Sequence, residues 1–261
     1  MKLFSLFSLG AMAAETGLSR NRRETEFTFT GEESVDFFNE FLAELTDGTT
    51  DELDQLIFNL SGGEQSRFIS EVESRKFRQL KVVVLWLQKE QKFGRYCYYG
   101  CYCLPEGSHN IAGGGYGKPK DNIDRSCKDF KQCYHCLKNE YDGERSCIGE
   151  EVGYGFQLLE ENGVKTVQCT NREGSCRRNV CECDLALAKG LSKFEDEWEE
   201  KYHSVKGGFN RTEECIPGGG GNGYNPAVGC CGDKTTFPFN EIVRANQCCD
   251  GPFAKPAGQC Y

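Results

Sequence analysis

Ahead of the first cysteine, apolar residues fall into stripes of helical period. Phe37, Phe38, Phe41, Leu42 and Leu45 recur at spacings of one, three and four, the pattern of an amphipathic helix. Thr49-Thr50-Asp51-Glu52 reads as a capping box before Leu53, Leu56, Ile57 and Leu60. Ser61-Gly62-Gly63-Glu64 reads as another before Phe68, Ile69 and Val72. Phe77 to Gln91 is a further helix; its run Leu80 to Leu87 is nearly all apolar and is expected to be buried on most sides. Gly153 to Gln168 alternates like a two-stranded ribbon turning at Glu161-Asn162-Gly163. Leu185 to Trp198 is again helical, and Pro217 to Gly223 is a glycine-rich linker.

Charge is distributed unevenly over these elements. Residues 24–74 carry fourteen acidic side chains and one basic one, Arg67, within a chain of net charge −9. The acidic helices need a partner surface. Packing on the rest of the chain and docking to another chain or a cationic matrix both remain open, because a charged face is usually just solvated. The net charge disfavours nucleic acid as a partner.

All seventeen cysteines lie at or beyond Cys97. That number does not suit a reducing compartment. The N-terminus agrees with export. Met1-Lys2 is a basic start, Leu3 to Ala13 is apolar, and Ala11-Met12-Ala13 fits signal-peptidase cleavage after Ala13 or Ala14. This stretch is shorter than the roughly 20 apolar residues that span a bilayer, so no transmembrane segment is expected. After the signal peptide (1–14), residues 15–23 end in Arg20-Asn21-Arg22-Arg23, where removal of a short propeptide and an unprocessed basic stretch are equally open. Asn59-Leu60-Ser61 and Asn210-Arg211-Thr212 have the form of N-glycosylation acceptors.

The cysteines sit in recognisable motifs. They begin with Tyr99-Gly100-Cys101-Tyr102-Cys103. Asp121-Asn122-Ile123-Asp124-Arg125-Ser126-Cys127 and Cys133-Tyr134 follow, and later Cys169, Cys176 and Cys181-Glu182-Cys183-Asp184. This order resembles the secretory phospholipase A2 family, with its YGCYCG-type calcium loop, DxCCxxHDxCY helix and CxCDxAAxxC helix. The resemblance implies a mainly α, disulfide-rich fold: two long antiparallel helices, a loop before the first and a small β-wing between them. That core would span 77–205, after an acidic helical extension (24–76) and before a glycine-rich linker and cysteine-rich tail (206–261). The tail, with Cys230-Cys231 and Cys248-Cys249, resembles the double-cysteine repeats of galaxin-like extracellular matrix proteins.

Carried over by position, the resemblance implies bridges Cys103–Cys127, Cys133–Cys183, Cys147–Cys176 and Cys169–Cys181, with Cys101 reaching a C-terminal cysteine. The family has two adjacent cysteines where this chain has Ser126-Cys127. The partner of the missing one falls at Gly190, so both halves of one bridge are absent together. The odd cysteine leaves an intermolecular bridge as one option.

The same alignment disables the chemistry. In the family a histidine activates water, the aspartate beside it helps loop carbonyls hold calcium, and a second aspartate and a tyrosine orient the histidine. Here the histidine position is Phe130 and the calcium-aspartate position is Lys131. Phenylalanine cannot accept a proton, and an ammonium has no oxygen for a hard dication. Tyr134 and Asp184 match the supporting pair, so Asp184 needs a new partner: Lys131 or a tyrosine hydroxyl. The calcium loop is degenerate at Tyr102 and Leu104, with an insertion containing Gly113-Gly114-Gly115. A divergent calcium site using Glu106, Asp121 or Asp124 stays open. His109, His135 and His203 are poor substitutes for the base, His135 lying on another helical face.

The expectation is therefore a secreted, non-catalytic relative that binds extracellular matrix or a protein partner and needs no cofactor. Otoconin-type proteins are a precedent for such a domain in an acidic matrix. Two alternatives are kept. One is a calcium-dependent phospholipase A2 cleaving the sn-2 ester of phospholipids. The other is a non-hydrolytic homologue that perturbs a phospholipid surface, although the venom proteins with lysine at this position are strongly basic.

Overall fold

The computed structural model of the chain describes residues 25–46, 71–103, 114–141, 147–216 and 227–260. The signal peptide, the Arg23 site, both capping boxes, Asn59, Leu104, Glu106, His109, Gly113 and Pro217 to Gly223 lie outside the described residues. In chain order the elements are β1 (Thr25–Phe29), α1 (Val35–Leu45), α2 (Glu71–Leu87), α3 (Asn122–Glu140), β2 (Phe156–Glu161), β3 (Val164–Cys169), α4 (Cys176–Lys193) and α5 (Arg211–Glu214). Four short strands follow: β4 (Ala227–Cys230), β5 (Ile242–Arg244), β6 (Gln247–Asp250) and β7 (Phe253–Pro256).

Helices α3 and α4 form the centre. Asp121 caps α3 by accepting from the Asp124 amide, and Ser175 caps α4 by accepting from Arg178. Three contacts fix their relative direction. Ser126 meets Gly190, Cys133 is bridged to Cys183, and Tyr141 hydroxyl accepts from Asn179 at 3.0 Å. One number rises as the other falls, so the helices are antiparallel. Helix α2 packs on α4 with Leu80 and Val82–Leu85 all but fully buried, which is why that run carries almost no polar residue.

Several boundaries differ from the sequence reading. Helix α2 starts at Glu71, so the division between extension and core at 76 and 77 falls inside a helix. It stops at Leu87 rather than Gln91. There Ser192 takes the Leu87 carbonyl, and the Glu195 carboxylate accepts the amides of Lys89 and Glu90, turning the chain away. Helix α4 begins at Cys176, nine residues before Leu185. Its buried polar residues, Asn179 and Asp184, break the apolar stripe that a periodicity reading depends on.

The extension is not purely helical. Its first element, β1, pairs antiparallel with β2, so the expected two-stranded ribbon is a three-stranded sheet in the order β1-β2-β3. Phe29 explains the addition: its ring stacks on Phe156 at 4.4 Å and touches Phe38 and Phe41 of α1. The β2–β3 turn falls at Asn162-Gly163, both with positive φ, which suits a tight hairpin. Helix α1 occupies the predicted stripe, capped by Ser34, and lays its aromatic face on α2 and β1.

Eight disulfides use sixteen of the seventeen cysteines. The core holds Cys103–Cys127, Cys133–Cys183, Cys147–Cys176 and Cys169–Cys181. Cys101 reaches Cys215, and Cys136 on α3 reaches Cys230 of the tail. Adjacent cysteines diverge: Cys231 bridges to Cys249 and Cys248 to Cys260. The remaining cysteine, Cys97, is buried in the core, which does not suit a bridge to another chain. Among the described residues no helix is long and apolar enough to cross a membrane.

The lost bridge has left a close approach. A Cβ placed on Gly190 would lie 2.8 Å from the Ser126 Cβ and 2.5 Å from its hydroxyl. The helices therefore sit closer here than any larger residue permits. Gly190→Ala is expected to lower stability by about 1–3 kcal/mol through overpacking. Thermal denaturation monitored by circular dichroism checks it; an unchanged midpoint contradicts the close packing.

Candidate active site

The clip between α3 and α4 buries one carboxylate, Asp184, with no solvent exposure. Three donors surround it. Tyr134 hydroxyl donates to Oδ1 at 2.6 Å, and Tyr154 hydroxyl donates to Oδ2 at 2.6 Å. Lys76 Nζ donates to Oδ2 at 2.6 Å and to the Tyr134 oxygen at 2.8 Å. Lys76 is itself fully buried, its ammonium between the Tyr134 and Tyr154 rings at 5.5 and 5.2 Å. Burial first, and the Asp184 charge second, push both tyrosine hydroxyls well above their ordinary range, so they remain donors.

The partner of Asp184 corrects the sequence reading. Tyrosine hydroxyls do reach it, but the ammonium is Lys76, not Lys131. Helix geometry gives the reason: Lys131 lies one residue past Phe130 on α3, whereas Lys76 enters from α2 and points at the clip. Gln79, one turn later, exchanges hydrogen bonds with the backbone of Tyr154 at 3.3 Å each way and holds α2 in register. Three residues of this site were missed from sequence: Lys76, Tyr154 and Arg211. The single signal for Lys76 was a cation at the start of an apolar helix, which usually marks a solvated flank.

Phe130 is buried, its ring 4.4 Å from that of Tyr134. No proton acceptor stands at that position. Lys131 is almost completely buried as well. Desolvation, and next the nearby Arg211 charge, push its ammonium down to about 8, against the opposing pull of Glu150 and Asp124.

The loop is occupied by another cation. Arg211, the first residue of α5, donates from Nε to the Gly100 carbonyl at 2.8 Å. Its Nη2 donates to Cys103 at 2.7 Å and Tyr99 at 3.3 Å. The Cys101–Cys215 bridge holds α5 against the same loop. The division between core and tail at 205 and 206 therefore cuts through this contact. Tyr102 hydroxyl donates to the Gly117 carbonyl at 2.6 Å and closes the loop's other side.

Two of the candidate calcium ligands, Asp124 and Asp121, are also engaged. Asp124 is buried and accepts the amides of Cys101, Tyr102 and Lys120 at 2.7–2.9 Å. Burial raises its pKa above the usual carboxylate range despite these bonds. Asp121 caps α3 and accepts the Tyr99 hydroxyl. Among the described residues no three histidine, cysteine, aspartate or glutamate side chains converge on a metal position. With an ammonium at 131 and a guanidinium on the loop carbonyls, the described residues do not fit calcium.

Neither described histidine supplies a base here. His135 is exposed beside Asn139. His203 is buried, and its Nδ1 accepts the amides of Val205 and Lys206 at 3.1 Å, which fixes a turn; burial lowers its pKa. Asn210 is exposed and caps α5.

Removing one partner from a buried ion pair leaves an uncompensated charge. Lys76→Met is expected to cost about 3–5 kcal/mol, and adding Asp184→Asn should recover much of that loss. Chemical denaturation of the two single variants and the double variant checks the coupling; additive effects contradict it. Lys131 gives a pH signature. Its folded-state pKa lies below its ordinary one, so the penalty is complete below the folded value and is relieved as pH rises through the window between them. Lys131→Met should therefore be more stable than the parent at neutral pH, by a margin that closes toward about pH 10. A margin independent of pH contradicts a buried charged Lys131.

Comparisons with known proteins agree with the disulfide-clipped fold. The family model described as phospholipase A2 matches residues 77–203. A phospholipase A2 of Calliactis polypus is 32% identical over 123 residues, which cover 47% of this chain and 64% of that protein. The basic phospholipase A2 beta-bungarotoxin A-AL2 chain of Bungarus multicinctus is 34% identical over 107 residues, 40% of this chain and 68% of its own length. The acidic phospholipase A2 beta-bungarotoxin A chain of Bungarus candidus is 34% identical over 107 residues, 40% of this chain and 66% of its own. The match to the Calliactis protein thus spans under two thirds of it. Shared motif order, the helix pair clipped at Cys133–Cys183 and the matched span place this chain in the secretory phospholipase A2 family.

Proposed function

We propose that this chain is a secreted, non-catalytic phospholipase A2-like protein that works by binding extracellular matrix or a protein partner. One observation carries the reading. The position of the general base holds a phenyl ring, and the carboxylate that would orient a base is already saturated by Lys76, Tyr134 and Tyr154. Arg211 and Lys131 support it, because they bring two fixed cations where hydrolysis would need a dication. Secretion is supported by the eight disulfides, which persist in oxidising compartments.

The test is hydrolysis of phosphatidylcholine in mixed micelles by the purified protein, with and without calcium, beside a Phe130→Ala/Lys131→Ala variant. The expected rate equals that of the variant in both conditions. Calcium-dependent turnover that the variant lacks would contradict the proposal and favour the hydrolase. Dye release from vesicles without turnover would favour a membrane-perturbing role.

A further inference from the structure

A second site lies where α2 ends, β3 passes and α4 ends. A groove of about 320 Å³ opens there, with Leu87 and Val167 as its apolar part. Its polar lining is Thr166, Ser192 and three lysines, Lys165, Lys189 and Lys193. Hydrogen bonds between elements fix its walls. Ser192 donates to the Leu87 carbonyl at 2.8 Å, and Trp86 Nε1 donates to the Thr166 carbonyl at 3.0 Å. Two of the ammoniums are held over rings: Lys165 lies 4.8 Å from Trp86 and Lys193 lies 4.9 Å from Phe194.

The charge balance of this groove is the reverse of the chain's. The protein carries −9, and Lys76, Lys89, Lys92, Lys120, Lys201 and Lys255 all sit on carboxylates. Lys165, Lys189 and Lys193 make no ion pair among the described residues, and no acidic residue lines the groove. Three like charges around one concavity repel one another, and nothing inside the groove offsets them. An anion from outside would.

We propose that this groove binds a sulfated sugar chain, the sulfate esters meeting the three lysines and the sugar's C–H face lying on Leu87 and Val167. The concave shape does not suit a flat bilayer. The disulfide framework belongs to a compartment where nucleic acid is not the usual polyanion. The proposal rests on the reading of the chain as an extracellular binding scaffold and gives that scaffold a ligand class.

The test is isothermal titration of the whole protein with a heparin-type hexasaccharide, its desulfated form, inorganic sulfate and anionic lipid vesicles. The sulfated hexasaccharide should bind one to one, weaken as salt rises, and shift the Trp86 indole resonance. Replacing all three lysines by glutamine should lower affinity about tenfold or more, while replacing them by arginine should retain it. A Lys89→Gln/Lys92→Gln/Lys201→Gln control, whose lysines sit in surface ion pairs, should bind like the parent. No binding, equal binding of the desulfated sugar, a preference for vesicles, or an equal loss in the control would each overturn the proposal. Hydrolysis is read in a separate assay, so an overturned groove leaves the non-catalytic reading to its own test.

Discussion

The buried carboxylate of Asp184 constrains everything around it. A lone ionised carboxylate at zero exposure would be prohibitively unfavourable, so its surroundings must supply donors and a counter-charge. Four elements contribute. Helix α4 presents Asp184, α3 brings Tyr134, the entry to β2 brings Tyr154, and α2 brings Lys76. The Cys133–Cys183 bridge closes the same junction covalently. Each element is thereby fixed to the others through one small, fully buried polar cluster.

A second centre repeats this logic with opposite sign. Loop carbonyls of Tyr99, Gly100 and Cys103 converge, and converging carbonyls call for a cation. Arg211 provides it from within the chain and makes three directed hydrogen bonds, which a spherical ion would not. A guanidinium tied to the chain stays beside those carbonyls at a fixed covalent distance, secured by Cys101–Cys215. Lys131 next to it has a depressed pKa, first because it is buried and second because it shares that corner with Arg211. The tail therefore completes the domain, because its Arg211 sits on the loop carbonyls and Cys215 secures the segment to Cys101.

Motif spacing made the helix pair and its clip legible, since cysteines and their neighbours carry information at fixed offsets. Periodicity found α1 and the exposed hairpin turn. It missed β1, because Thr25–Phe29 is a five-residue strand whose reason for existing is Phe156, far away in sequence. It also clipped α4, where buried Asn179 and Asp184 disguise the core face as a polar one. Lys76 and Arg211 were invisible for the same cause. A buried cation looks like any surface lysine or arginine until the fold supplies its partner, and Arg211 sits inside an acceptor motif that points to a different role.

The most direct measurement is a crystal structure of the protein from crystals soaked in calcium. The account predicts Arg211 still seated on the carbonyls of Tyr99, Gly100 and Cys103, Lys76 still on Asp184, and no metal in the loop. A calcium ion bound by those carbonyls, with Arg211 displaced, would contradict it.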